Sequence, residues 1–163
     1  MKFYHREIQE DIDRKLSTKK RPKHFLLFVD LKKAFDTINR VKLIECLYEK
    51  KVNETVVNAV RQIYSKTLMH TDPRKKPVQT SKGVMQGGVL SPKLFALYIN
   101  DMLTALNSYG IAAWALADDI VIATRGEYHL SLAVKTLRQH SKNLDLEINK
   151  EKSGLMCVRI DDR

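Results

Sequence analysis

Cysteine is scarce in this 163-residue chain: Cys46 and Cys157 stand far apart, with no Cys-x-x-Cys spacing. That excludes a zinc-finger framework and argues against a secreted disulfide scaffold, so two buried thiols in a reducing, intracellular compartment are expected. Long hydrophobic runs are missing too. The longest, residues 111–117 continuing into 120–123, is too short to span a bilayer and encloses two aspartates. Residues 1–10 are charged throughout, so no signal peptide is expected, and Glu7, Glu10, Asp11 and Asp13 break an amphipathic mitochondrial presequence. Nuclear and organellar locations remain equally open. There are no repeats, low-complexity tracts or linkers between domains, and the length favours one domain over 1–163. Acids are outnumbered, 19 against 29 Lys plus Arg, for a net charge of +10. Such an excess favours polyanions, nucleic acid first, as partners. What is present in quantity is apolar: 44% of residues, enough to bury a core.

Residues 3–16 show weak helical spacing, with Ile8, Ile12 and Leu16 four apart, and the basic run 17–23 follows. Together 1–23 read as a polar, basic helix and linker. Residues 24–30, His-Phe-Leu-Leu-Phe-Val-Asp, are a continuous apolar run closed by an acid, the pattern of a buried strand. Two helices are expected next, one with Val41, Ile44, Leu47 and Tyr48 on a face, the other with Val56, Val60, Ile63 and Tyr64. Residues 68–80, with Pro73, Pro77 and Arg74-Lys75-Lys76, read as an exposed basic hairpin or loop. After the glycine-rich stretch 83–88, Ser91 as cap and Pro92 in the first turn start a helix. Phe95, Tyr98, Ile99, Met102 and Leu106 form its inward stripe, and Gly110 ends it. Residues 111–124 predict two strands meeting at Asp118-Asp119. A helix over 127–144 turns Leu130, Val134, Leu137 and Leu144 inward, and 146–148 and 154–160 are strand-like. Strands and helices mix without strict alternation, so the class is α+β.

Three acids stand where a core sequence should exclude them. Asp30 closes one apolar strand, and Asp118-Asp119 interrupts another. Burying an unpaired carboxylate costs several kcal/mol, and adjacent acids repel unless a cation lies between them. Magnesium, which takes carboxylate and phosphate oxygens, resolves both conflicts. The plainer alternative is a pair of exposed turn aspartates and a helix-capping Asp30.

The neighbouring residues decide between these. Residues 25–36, Phe-Leu-Leu-Phe-Val-Asp-Leu-Lys-Lys-Ala-Phe-Asp, resemble motif A of reverse transcriptases, above all those of non-LTR retroelements and group II introns. Residues 83–101, with Gln-Gly-Gly-Val-Leu-Ser-Pro at 86–92, resemble motif B, and Ala117-Asp118-Asp119 resembles motif C. Residues 144–153, Leu-Asp-Leu-Glu-Ile-Asn-Lys-Glu-Lys-Ser, are similar to motif D. Their order and spacing are the family's, over about 24–160, and Gln-Gly-x-x-Leu-Ser-Pro is the most specific of them. The resemblance implies a polymerase palm: an antiparallel sheet with helices on one face and a ferredoxin-like core.

It also implies roles. Asp30 and Asp118 would be the main ligands of two Mg2+ ions, for which Mn2+ can substitute, with Asp119 assisting and the Leu31 carbonyl as a further ligand. Phe35 occupies the sugar-gate position, where a ring excludes a 2′-hydroxyl and selects deoxynucleotides; without the motif, core packing is the simpler reading of Phe35. Gln86 and Gly87 would lie under the incoming nucleotide and template base, against the plainer reading of a loop serving only the helix start. Lys152 matches the lysine that neutralises departing pyrophosphate, against a solvated surface lysine. His24, His70, His129 and His140 have no metal-ligand spacing and receive no role.

Two departures from the pattern shape the functional expectation. Leu116 replaces the aromatic residue that normally precedes Ala-Asp-Asp, which puts primer positioning in doubt. Only 29 residues precede Asp30, and little chain follows residue 160, so fingers motifs and thumb are expected to be missing. Poor polymerisation by the chain alone follows, since positioning supplies much of phosphoryl-transfer catalysis. Two readings result. One is the palm of an RNA-directed DNA polymerase working on an RNA template and DNA primer, with protein partners supplying the missing parts. The other is a non-catalytic, reverse-transcriptase-derived subunit with a structural or RNA-binding role in a ribonucleoprotein or organellar assembly.

Overall fold

A computed structural model describes residues 23–65, 68–69 and 78–158. The expected helix over 3–16 and the basic runs 19–21 and 74–76 lie outside the described residues. In chain order the elements are β1 (His24–Val29), α1 (Ala34–Thr37), α2 (Arg40–Glu49), α3 (Glu54–Ser65), β2 (Leu68–Met69) and β3 (Val78–Gln79). Then come α4 (Ser91–Ser108), β4 (Ala112–Leu116), β5 (Asp119–Arg125), α5 (Gly126–Asn143) and β6 (Gly154–Val158).

The apolar run at 24–29 becomes a central strand. β1 pairs antiparallel with β5 on one side and β6 on the other, and β4 adds outside β5, giving the order β4-β5-β1-β6. With α4 crossing from β1 to β4 and α5 from β5 to β6, this is the ferredoxin-like βαββαβ arrangement. β2 and β3 form a separate two-stranded hairpin, as the turn-rich stretch 68–80 promised.

Alternation along the strands gives the sheet two unlike faces. Val29, Ile120 and Ile122 bury themselves against the inward stripe of α4, where Phe95, Tyr98, Ile99, Met102 and Leu106 lie as expected. On the other face, Phe28 is 39% and Met156 52% exposed. The described helices therefore cover one side; on the other, His24, Ala112 and Ala123 are buried while Phe28, Leu116 and Met156 are exposed. Among the described residues no helix is long and apolar enough to cross a membrane.

Tyr98 shows how the stripe handles a polar atom. Its hydroxyl donates to the Leu144 carbonyl at 2.7 Å, and burial pushes its pKa up to about 12. Tyr98→Phe leaves that carbonyl without its donor and should cost about 1 kcal/mol, lowering Tm by roughly 3 °C. An unchanged Tm would show that water replaces the donor freely.

Several expectations shift in phase. In α2 the buried residues are Leu43, Cys46 and Leu47, while Val41 is 68% exposed and Tyr48 also faces out. In α3 they are Val57, Val60 and Tyr64, with Val56 and Ile63 exposed. Both helices carry more apolar residues than one face can hold, and packing against each other and α4 selects the phase. In α5, Ala133, Thr136, Leu137 and Ser141 are buried, whereas Leu130 and Val134 are half-buried. The small residues mark where α5 comes close to its neighbours. Residues 146–148 do not form a strand; only an isolated bridge joins Ile148 to Leu31. Cys157 is exposed rather than buried, because β6 is a sheet edge; Cys46 is buried, and desolvation pushes its thiol pKa up.

A polar clasp ties the end of α5 to α2. Asp145 accepts from Asn39 Nδ2 at 2.9 Å and lies 2.9 Å from Lys42 Nζ. Asn39 first, then Lys42, holds its carboxyl below the ordinary range. The depressed value means the stabilisation is present above the unfolded carboxylate pKa, about 3.9, and is lost as pH falls through the folded one. Asp145→Asn, which keeps a residue tolerant of the positive φ here, should cost about 0.5 kcal/mol at neutral pH, a value suited to an exposed pair. Urea titrations at falling pH should show the two proteins converge; a constant gap would exclude the carboxylate as its source.

Candidate functional site

The register of β1 and β5 builds one end of the site. Their last pair is Val29 with Ile120, so the next positions set Asp30 opposite Asp119. Neighbouring strands lie about 4.8 Å apart. Asp118 sits in the turn from β4, whose last pair is Leu116 with Asp119, and Ala117 takes a positive φ of 55° to make that turn. Continued alternation puts Asp30 and Asp119 on the open face with Phe28 and Val121. Asp30 and Asp118 are half-buried and Asp119 exposed. Among the described residues, none of the three makes an ion pair.

The backbone thus brings three acids to one end of the sheet. Among the described residues no group of three or more His, Cys, Asp or Glu is gathered to hold an ion. The donor chemistry fits magnesium nonetheless, since every candidate is oxygen and no thiol or imidazole competes.

Asp30 itself is fixed by the segment that follows α5. Its amide donates to Ser153 Oγ at 3.1 Å, and its carbonyl accepts from the Asn149 amide at 2.9 Å. Ser153 Oγ donates in turn to the Asn149 carbonyl at 2.7 Å, closing a tight turn. Sequence reasoning assigned neither residue a role, although Asn and Ser four apart in a polar stretch are a turn signal. The Lys32 amide donates to the Glu147 carbonyl at 2.8 Å. Bonds flanking the Leu31–Ile148 pair on both sides make it a non-hydrogen-bonded pair. The amide and carbonyl of Leu31 therefore point to the opposite edge, where β5 and Asp118-Asp119 lie. Lys152 occupies the same turn but is exposed, with no hydrogen bond or ion pair to a described residue. It is near in sequence to the residue that fixes Asp30, and is not held against the acids.

Phe35 is both packed and accessible. Its ring lies 4.9 Å from that of Phe95, tilted by 30°, while the residue as a whole is half-buried. Beside it, Asp36 accepts from Gln86 Nε2 at 2.8 Å, a link between the β1 side and the glycine loop that the sequence did not announce. Gly87 has φ +80° and open space where a Cβ would stand, so conformation rather than crowding favours glycine there. Ser91 is not the helix cap. It is buried inside the first turn, and its Oγ donates to the Met85 carbonyl at 2.6 Å, leaving Leu90 as a cap without a side-chain bond. The hydroxyl serves the loop before the helix, donating to a carbonyl there instead of accepting from a helix amide.

Residues 2–161 match the family described as "Reverse transcriptase (RNA-dependent DNA polymerase)". Over 145 residues the chain is 26% identical to a retrovirus-related Pol polyprotein from type-1 retrotransposable element R2 of Nasonia vitripennis, covering 82% of this chain and 14% of that protein. A polyprotein of the same description from Popillia japonica is 22% identical over 138 residues, covering 76% of this chain and 23% of that one. The chain thus spans less than a quarter of the curated relatives it matches. Telomerase from Candida albicans, solved in complex with a TWJ fragment of telomeric RNA, superposes with a TM-score of 0.72 at 16% identity, covering 93% of this chain and 29% of that one. Telomerase from Candida tropicalis, also with a TWJ fragment, gives 0.74 at the same identity and coverage. Such low identity speaks for the fold alone, and the shared fold is the polymerase palm. Matched over nearly its whole length, this chain belongs to the reverse transcriptase (RNA-dependent DNA polymerase) family.

Proposed function

We propose that this chain supplies the palm for RNA-directed DNA synthesis, joining deoxynucleotides to a primer on an RNA template. The observation that carries the reading is the register that sets Asp30 opposite Asp119, with Asp118 adjacent, at the end of an open sheet face. Asp30, Asp118, Asp119 and the Leu31 carbonyl would hold two Mg2+ ions, with Mn2+ as substitute. Bound there, the ions would lower the pKa of the attacking hydroxyl and neutralise charge on the leaving pyrophosphate. Phe35 restricts the sugar by bulk. Gln86, oriented by Asp36, contacts the nucleotide, while Gly87 lets backbone approach it. Lys152, exposed on the 149–153 turn, would neutralise the leaving pyrophosphate.

Fingers and thumb would come from further polypeptide or partner chains, consistent with the small share of the relatives that this chain spans. The test has two arms. Added MgCl2 should raise the Tm of this chain and leave Asp118→Asn unmoved. Primer extension on an RNA template should depend on the divalent ion and disappear in Asp118→Asn once the missing parts are supplied. Metal-independent melting of both forms, with RNA still bound, would favour the non-catalytic subunit instead.

A further inference from the structure

We propose that Arg40 is a positioning residue, whose guanidinium anchors the 80–88 segment to the end of α3 and thereby sets where Gln86 and Gly87 stand relative to Asp30. Its significance for nucleotide binding rests on the palm reading above; the anchoring does not.

Arg40 is half-buried at the start of α2. Nε donates to the Gly83 carbonyl at 2.8 Å, Nη1 to the carbonyls of Tyr64 (2.9 Å) and Thr80, and Nη2 to Thr80 Oγ1 at 2.9 Å. The guanidinium carbon also stands 5.3 Å from the centroid of the Tyr64 ring. Each of these partners is neutral, and among the described residues no carboxylate pairs with this cation. Its charge is met otherwise. Tyr64 lies in the last turn of α3, where carbonyls lack intrahelical partners and carry the negative end of the helix dipole. The ring face adds a cation–π contact.

One side chain therefore joins three segments: α2, the end of α3, and residues 80–83. Backbone bonds extend the joint, from the Gly83 amide to the Ile38 carbonyl and from the Val84 amide to the Phe35 carbonyl, both at 2.8 Å. Phe35 and Gln86 are thus set on opposite sides of a single fastening. A lysine carries one compact ammonium and no planar fork, so it cannot reach these acceptors together.

Hydrogen exchange by mass spectrometry on Arg40→Lys and Arg40→Gln tests the anchoring. Peptides holding the Gly83 and Val84 amides should exchange about tenfold faster, as expected for one lost anchor of local stability. Those from β1 and β5 should not change. Should either variant fail to fold, Thr80→Val removes a single bond and should give a smaller shift of the same sign. Unaltered exchange at 83–84 overturns the anchoring. For positioning, dGTP with MgCl2 is titrated into parent, Arg40→Lys, Gln86→Ala and the double variant, each with the missing fingers and thumb supplied. Equal weakening in all three variants supports the proposal. Faster exchange with unchanged nucleotide affinity reduces Arg40 to a structural part and overturns it. A parent that binds no nucleotide, with faster exchange in the variants, supports the anchoring and counts against the palm reading instead.

Discussion

Gly83→Ala is expected to destabilise the fold by about 3 kcal/mol, combining left-handed strain with overpacking. Two observations stand behind that figure. Gly83 has φ +83°, a conformation that costs side-chain-bearing residues roughly 1–2 kcal/mol. A Cβ added there would also lie 2.7 Å from the Asp36 carbonyl oxygen and 2.9 Å from its Cα, and neither can move without shifting the turn that carries Phe35. For a chain of this length the Tm should fall by roughly 9 °C. Gly87→Ala is the control, because the same strained φ meets open space and should cost only the conformational part, about 1–2 kcal/mol. Equal losses at the two positions would show that crowding against Asp36 contributes nothing.

The placement of the candidate site's acids was legible because they break the pattern of an apolar strand. Carboxylates at the end of an apolar strand are conspicuous in the sequence, and the β1–β5 register then places them side by side. The inward stripe of α4 was equally plain, since a helix at the centre of the core buries a broad face with little choice of phase. Surface helices offered no such constraint. Val41 and Tyr48 are as apolar as Leu43 and Leu47, and only the arrival of α3 and α4 decides which pair goes inward.

What stayed hidden was polar and long-range. The bonds from Ser153 to Asp30, Gln86 to Asp36 and Arg40 to Thr80 join residues 123, 50 and 40 positions apart. No local spacing rule reaches across such distances. Ser91 misled for a related reason: a serine before proline promises a cap that accepts from helix amides, yet here the hydroxyl donates to a loop carbonyl instead. The open carboxylates and the hidden braces belong together. Three acids without cationic partners among the described residues stand in a frame held by these hydrogen bonds.

Phe95→Ala should cost still more, about 4 kcal/mol, because a fully buried ring leaves a cavity that the surrounding core closes only in part. The Tm should drop by roughly 12 °C. This substitution also separates the two readings of Phe35, whose ring rests on that of Phe95. With its support removed, Phe35 can sink toward the vacated space and draw back from the open side. If Phe35 guards the sugar, Phe95→Leu, the milder form, should admit ribonucleotides more readily in a complex that extends primers, moving in the same direction as Phe35→Ala. If Phe35 is only core, Phe95→Leu should lower Tm and leave the ratio of ribo- to deoxynucleotide use where it was. Stability and selectivity are read on the same variant, so loss of fold cannot be mistaken for loss of a gate.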